Sequence, residues 1–338
     1  MADKTKIEWA DATLNAINGC SLASPGCTNC YAMRLAGTRM QHHPTRAGLA
    51  RTVNGKPVWT GEVRLHEPAL LQALRWKSPR RIFWNAHGDT FHEAVPDEWI
   101  DKLFAVCALT PQHTHMILTK RSERMRKYLS RHRWHKWAAI GRALDAKRWR
   151  NLPPIMGGDC TPVPNVWLGV SVEDQARADE RIPDLLATPA AVRFISAEPL
   201  LGPVDLCRAY ATKDEHGTYL HDGPILGLDW VIAGGESGPG SRPMHPDWAR
   251  SLRDQCLAAG VAFHFKQWGE WHPADADDHP ADCTADNITA FRADQITRYS
   301  HWDAAYWSGR PGEQGMCRVG KKAAGRQLDG REWNELPR

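Results

Sequence analysis

Three cysteines crowd one short N-terminal loop. Cys20, Cys27 and Cys30 lie in the run Asn18-Gly-Cys-Ser-Leu-Ala-Ser-Pro-Gly-Cys-Thr-Asn-Cys-Tyr31. A C-x6-C-x2-C loop with no fourth cysteine nearby suits a metal held by three thiolates with one coordination position open. Four protein ligands usually make a structural site, whereas an open position allows chemistry at the metal. Two metals compete. Zinc would recruit His42 or His43 as a fourth ligand and close the site, although the second C-x2-C knuckle of many zinc modules is missing. A four-iron cluster would leave one iron free to bind a substrate or cofactor.

Six charged residues share a second pattern, each standing just past an apolar, β-branched or aromatic run. Asp89 follows Arg81–Ala86, Lys120 follows Thr114–Thr119, and Glu173 follows Val166–Val172. Glu198 follows Val192–Ala197, Glu236 follows Leu228–Ala233, and Lys266 follows Val261–Phe265. Any one of them reads equally well as a surface charge. Six at equivalent positions mark the C-terminal rim of a β/α barrel, where active sites are built.

The elements that must position this rim are legible as strand–helix alternation. Between the runs lie helical patterns: one from Pro96 with acidic residues in its first turn, one over Asp174–Leu186, and one over Pro246–Ala259 that stops at Gly260. The alternation predicts a parallel sheet with covering helices. No glycine-rich dinucleotide loop follows the first strand, so a partial (β/α) TIM-like barrel is expected rather than a doubly wound sheet. The expected organisation is a barrel over residues 1–270, with a basic insertion at 121–160, and an irregular C-terminal extension over 271–338. Residues 271–316 are rich in Asp, His, Pro and Gly without periodicity.

The chain has 338 residues, 42% hydrophobic and 24% charged, with a net charge of +4. Those values suit an ordinary globular protein. No run of about 18 apolar residues could span a bilayer, and the N-terminus lacks the apolar core of a secretory signal. A cytoplasmic location with no membrane partner is expected, and with it free thiols. Cys107, in an apolar run, reads as core.

An open-iron cluster on a partial barrel points to radical S-adenosylmethionine chemistry. A set of motifs carries a more specific resemblance. Pro-Gly-Cys-x-x-Cys-Tyr-Ala is followed by Asp89-Thr-Phe-His92, Leu118-Thr-Lys-Arg121, Trp167-Leu-Gly-Val-Ser171, Ser196-Ala-Glu-Pro-Leu200, Gly234-Gly-Glu-Ser-Gly238 and Phe265-Lys-Gln-Trp-Gly269. Together they resemble a phage- and prophage-encoded three-cysteine family, similar to radical S-adenosylmethionine enzymes and distantly to spore photoproduct lyase. The C-x6-C-x2-C spacing differs from the C-x3-C-x2-C common in that superfamily, which leaves zinc open. The resemblance implies a radical-S-adenosylmethionine-type barrel, with Cys20, Cys27 and Cys30 holding a [4Fe-4S] cluster. It implies that Asn85 to Asp89 meet the methionine amino group of S-adenosylmethionine, with Ser171 and Glu173 on its ribose and carboxylate. Lys120, Glu198, Glu236 and Lys266 remain for substrate or proton work.

Residues 121–150 hold eleven Arg or Lys against two acids, Glu123 and Asp145. Cations neutralise phosphates and interleaved aromatics stack on bases. Arg126, Lys127, Arg131, Arg133, Trp134, Lys136 and Trp137 are therefore expected to contact nucleic acid. The competing reading is a solvated helical face whose tryptophans pack on the barrel. A base inside a duplex would have to be flipped out to reach a buried cluster. The expected function is hydrogen abstraction from DNA, with an electron donor such as flavodoxin or ferredoxin. The resemblance implies thymine hypermodification in a bacterial host cell, by isomerisation of an N-linked glycyl-thymine to the C-linked form. The alternatives are a photoproduct-lyase-like repair enzyme and a zinc-stabilised nucleic-acid-binding protein.

Overall fold

A computed structural model describes residues 5, 7–152, 162–214, 217–274, 288–292, 295–298 and 313–337. Seven parallel strands form its central sheet: β1 (Ala12–Leu14), β2 (Arg81–Trp84), β3 (Thr114–Thr119), β4 (Val166–Ser171), β5 (Val192–Ala197), β6 (Trp230–Gly234) and β7 (Ala262–Gln267). They pair in strict chain order. A doubly wound sheet reverses direction at its middle; this one never does. It is a curled half-barrel within a mixed α/β fold, compatible with a partial β/α barrel.

The principal helices are α1 (Tyr31–Gly37), α2 (Asp97–Leu109), α3 (Ser122–Leu129), α4 (Trp134–Arg150), α5 (Gln175–Leu186) and α6 (Pro246–Ala259). Local chemistry sets their ends. Asp174 caps α5 by accepting from the Arg177 backbone N–H at 2.9 Å. Pro246 opens α6 and Gly260, at φ 70°, closes it in the left-handed region where a side chain would strain.

Strand alternation divides the sheet into two faces. Ile82, Trp84, Ile117, Leu168, Val170, Ile195, Val231, Phe263 and Phe265 pack with the helices into the main core. Phe83, Met116, Phe194, Trp230 and Ile232 point the other way and, with Trp9, fill the floor of the concavity. Trp9 meets both Phe83 and Trp230 edge-on, at centroid separations of 4.8 and 5.9 Å. One more step of two residues along each strand brings this inner face to the rim.

The extension expected to be irregular carries regular structure among its described residues. Trp271–Ala274, Ile288–Arg292, Gln295–Arg298 and Glu313–Arg318 form a four-stranded antiparallel sheet. Beyond it the chain returns to the barrel: the Phe265 N–H donates to the Trp333 carbonyl at 2.9 Å, and Trp333 is buried in the main core. The tail thus satisfies part of the exposed edge of β7. Residues 153–160 of the expected basic insertion, like 275–287 and 299–312 of the extension, lie outside the described residues. Among the described residues no helix is long and apolar enough to cross a membrane.

The basic helices α3 and α4 dock through one buried carboxylate. Asp101 of α2, 2% exposed, accepts from Arg133 Nε and Nη2 at 2.7 and 2.6 Å, from the Tyr128 hydroxyl at 2.8 Å and from Trp137 Nε1 at 3.1 Å. Burial pushes this carboxyl up, but donation from Arg133 and Tyr128 outweighs it and holds the group below its ordinary value. Asp101 therefore stabilises the fold fully above about pH 4, and that contribution is lost as the pH falls through the depressed value. Asp101→Ala leaves the Arg133 guanidinium buried without its main counter-ion. Urea unfolding at neutral pH is expected to show a loss of about 3–5 kcal/mol, a deficit that narrows in acid.

Candidate functional site

The cysteine loop leaves the end of β1 and lies over the C-terminal rim. Its entry is fixed at Gly19, whose N–H donates to the His87 carbonyl at 3.0 Å. Gly19 has φ 95°, and a Cβ there would stand 2.1 Å from the Glu62 carbonyl oxygen, so only glycine fits. Pro25–Cys27 form a single 3-10 turn, and Tyr31 begins α1. Cys27 is buried; Cys20 and Cys30 are half-buried. Burial pushes the Cys20 thiol up to about 12, with the Asp89 carboxylate adding to the rise and Arg121 opposing it. Burial also raises Cys30, against donation from the first amides of α1.

Rim charges hold this loop. The Glu173 side chain is fully buried; Oε1 accepts from the Ser24 hydroxyl at 2.7 Å and from Lys120 Nζ, while Oε2 accepts from Arg181 Nη1 at 3.0 Å. A Cβ on Gly26 would fall 2.5 Å from the Glu173 side chain, so the loop backbone lies directly on the carboxylate. Burial pushes Glu173 up, but Lys120 and Arg181 prevail and hold it below the ordinary range. Glu236 does the same work further round. It accepts from Asn29 Nδ2 at 2.9 Å and from Arg242 Nε at 2.9 Å, and Arg242 Nη2 donates on to the Pro25 carbonyl at 3.0 Å. Arg121, 8% exposed, spans Cys20 and Ser21. Its Nη1 lies 3.5 Å from Cys20 Sγ and 3.3 Å from Asp89 Oδ2, and its Nη2 donates to the Ser21 carbonyl and hydroxyl at 3.0 and 2.8 Å.

Four of the six rim residues expected from the sequence, Asp89, Lys120, Glu173 and Glu236, thus gather at one loop, in different roles. Asp89 is fully engaged: it accepts from the Thr119 hydroxyl at 2.6 Å, from the Phe91 and Lys120 N–H groups at 2.9 and 3.0 Å, and from Arg121. Asn85, at φ 59°, ties the ends of β1 and β2 by accepting from the Ile17 N–H and donating to the Thr90 hydroxyl, both at 2.8 Å. These two build the rim, which leaves little capacity for a ligand ammonium. Glu198 and Lys266 pair at 3.0 Å, with side chains 13 and 20% exposed, and lie least committed to the loop. Ser171 is buried at the end of β4, and no hydrogen bond to its hydroxyl is found among the described residues.

The expected nucleic-acid residues separate into two groups. Arg133 and Trp137 are 6 and 1% exposed; Arg133 is committed to Asp101, and Trp137 stacks on Phe104 at 4.8 Å. Both belong to the core and are corrected as nucleic-acid residues. Arg126 pairs with Asp184 at 2.6 Å, Lys127 with Glu123 at 2.6 Å and Arg131 with Asp97 at 3.5 Å. Trp134 is partly buried against Trp149, at 5.4 Å. Lys136 is exposed, and no ion pair to it is found among the described residues.

Arg121, Arg181, Arg242, Ser24 and Asn29 join the site without a sequence signal that marks them as site residues. Arg121 stands one position past an expected site lysine. Arg181 sits two turns into α5, and nothing local marks it as the counter-ion of Glu173. Among the described residues no three His, Cys, Asp or Glu side chains converge tightly enough to hold a single metal ion. His43 instead bonds through Nδ1 to the Thr45 hydroxyl at 2.8 Å.

The family described as "Protein of unknown function (DUF5131)" matches residues 4–337, and the chain belongs to it. No curated protein and no solved structure matches the chain.

Glu173→Gln tests the anchoring of the loop. It keeps the shape but leaves buried Arg181 and Lys120 without their carboxylate. The expected result is a stability loss of about 3–5 kcal/mol and faster iodoacetamide labelling of Cys27, read by mass spectrometry against exposed Cys207 as internal reference.

Proposed function

We propose that this member of a family of unknown function is a radical S-adenosylmethionine enzyme that removes hydrogen from a nucleic-acid substrate. One observation carries the reading: three thiols on one loop lie over the rim of a curled parallel half-barrel whose inner face ends in ionic groups. Sheet, loop and rim form one unit because Glu173, Glu236 and Arg121 bind the loop to three different strand ends. Three thiols on one loop are the donor set of a cluster with one open iron, and these thiols are near enough to influence one another. Cys20, Cys27 and Cys30 would hold a [4Fe-4S] cluster in this reading. When bound, such a cluster would supply one-electron reduction of S-adenosylmethionine, and with it radical chemistry, with a flavodoxin- or ferredoxin-class protein as the electron donor.

The chain's own residues bind and orient. The Ser171 hydroxyl, with no hydrogen bond to it among the described residues, can donate to the ligand carboxylate. The Glu198–Lys266 pair offers an acceptor for the ligand ammonium and a cation for an anionic group, without a net charge of its own. Lys120 is held in place by Glu173. The floor of Trp9, Phe83, Phe194 and Trp230 excludes water from below. The substrate assigned in this reading is a modified thymine in phage DNA, with an N-linked glycyl group isomerised to the C-linked form. Hydrogen removal at the glycyl α-carbon would start that migration.

The test is anaerobic reconstitution with iron and sulfide, followed by absorption and electron paramagnetic resonance spectra with and without S-adenosylmethionine. A brown protein whose reduced signal shifts on adding S-adenosylmethionine, with 5′-deoxyadenosine released, is the expected result; Cys20→Ala, Cys27→Ala and Cys30→Ala should each abolish it. A colourless protein that binds zinc and ignores S-adenosylmethionine would overturn the reading.

A further inference from the structure

Two stretches of this chain are rich in cations, and their packing separates them. In and around α3 the charge is spent internally: Arg121, Arg124, Arg126, Arg131 and Arg133 pair with Asp89, Asp97, Asp184, Asp97 and Asp101, and Lys127 pairs with Glu123. In α4 Arg148 pairs with Asp145, whereas Lys136, Arg142, Lys147 and Arg150 are exposed with no ion pair among the described residues, but this helix packs on α2, where Trp137 stacks on Phe104. The segment between β1 and β2 packs with the cysteine loop instead. Residues 34–66 hold six Arg or Lys against one acid, Glu62. Among the described residues, Arg34, Arg39, Arg46, Arg51, Lys56 and Arg64 form no ion pair at all. Arg64 donates only to the Pro44 carbonyl at 2.8 Å, and Arg46 to Thr45 and to His87. Neutral partners leave the full positive charge in place.

The geometry presents that charge outward. Ala50–Val53 and Lys56–Trp59 form an antiparallel hairpin with a two-residue turn, Asn54-Gly55, at φ 49° and 74°. Both positive φ values suit the tight turn that matches strand twist. Arg51 and Lys56 stand exposed on this ribbon, as does Arg39 in the stretch that follows α1. A two-stranded ribbon is narrow enough to enter a DNA major groove. The ribbon is not a loose arm. Ala32, Met33 and Ala36 of α1 bury with Leu49 and Trp59, and Cys20 and Cys30 pack against the same small core. The guanidinium of Arg34 lies so close to Gly238 that a Cβ there would stand 2.7 Å from it, which ties the segment to the rim as well. On the cysteine loop itself, Tyr31 and Leu22 are 49 and 54% exposed.

We infer that this β1–β2 segment, and not α3–α4, is the surface that seats the phosphate backbone of a nucleic acid and presents its base to the cysteine loop. The inference rests on the nucleic-acid part of the reading above. Unpaired cations on an exposed ribbon match a polyphosphate, since their binding releases the counterions condensed on it. Exposed Tyr31, beside Cys30, supplies a ring on which an unstacked base can lie. Hairpin and cysteine loop share one core, so a backbone held by Arg39, Arg51 and Lys56 is held at a fixed distance from the loop.

The experiment measures fluorescence anisotropy of a short labelled DNA duplex and of its single strand, titrated with full-length protein over a salt series. No iron or S-adenosylmethionine is added, so failure of the radical chemistry leaves the outcome unchanged. Two triple variants are compared: Arg39→Gln with Arg51→Gln and Lys56→Gln, and Lys136→Gln with Arg142→Gln and Lys147→Gln. Thermal unfolding checks that both variants fold. The first triple is expected to weaken binding about tenfold or more at low salt and to flatten the log–log salt slope by about 0.7–0.9 for each phosphate that is no longer neutralised. The second should stay near wild type. The reverse pattern, or equal weakening in both, overturns the inference, and so does absence of binding by the unaltered protein. Binding to phosphatidylserine vesicles but not to DNA, abolished in the first triple, would overturn it in favour of a membrane surface.

Discussion

The buried Glu173 carboxylate is the contact on which the architecture of the site depends. It stands at the end of β4 and receives Lys120 from the end of β3, Arg181 from α5 and Ser24 from the cysteine loop. Three partners, two of them far from Glu173 in sequence, therefore converge on two oxygen atoms. Such a convergence is costly to build, because every charge has left water, and costly to break, because each removal strands another charge. The loop cannot slide over it either. Its backbone at Gly26 lies where any side chain would collide with the carboxylate. The position of the three thiols is thus a consequence of electrostatics at the rim rather than of any preference of the loop itself.

The rim as a whole repeats this device. Asp89 with Arg121, Glu198 with Lys266 and Glu236 with Arg242 each cancel locally. Pairing makes a ring of like positions tolerable in a confined space, where bare charges of one sign would repel. It also divides the work. Arg121 and Glu236 are turned toward the loop, whereas Glu198 and Lys266 face one another with part of each side chain still exposed. The first kind fixes geometry; the second has capacity left for a ligand.

Much of the frame is legible in the sequence, for a reason that also sets its limit. Strand β5 reads as a strand because Val192–Ala197 alternates between two apolar environments, and α6 reads as a helix because Pro246 and Gly260 mark its ends. Such signals are local. The position of Glu198 or Lys266 just past a strand is local too, so the rim is visible before the fold. What each rim group touches is not local. Arg181 meets Glu173 only because α5 packs back on its own strand. The charge count over residues 121–150 suggests a binding surface, but Asp97, Asp101 and Asp184, which neutralise part of it, lie outside that window. The tail is unreadable for a similar reason: Trp333 is core only because it lies beside β7, and the two-residue strands before it, Gln327–Leu328 and Arg331–Glu332, have no period to detect.

The same limit explains why the cysteine loop is the strongest signal and yet the least determined chemistry. Residue type and spacing identify thiols that can act together, but their behaviour depends on surroundings assembled from elsewhere. Burial raises Cys20 and Cys30, so a bare thiolate at either place is disfavoured near neutral pH. Arg121 offsets part of this at Cys20, but Asp89, which holds Arg121, opposes ionisation more strongly than Arg121 favours it. At these two positions the protein on its own supplies too little positive charge to offset the cost of burial. In the proposed chemistry the missing charge comes from the metal centre, which ionises its ligands as it binds. In that proposal loop placement and ligand ionisation are separate problems with separate solutions, the first met by Glu173 and its partners, the second by the metal.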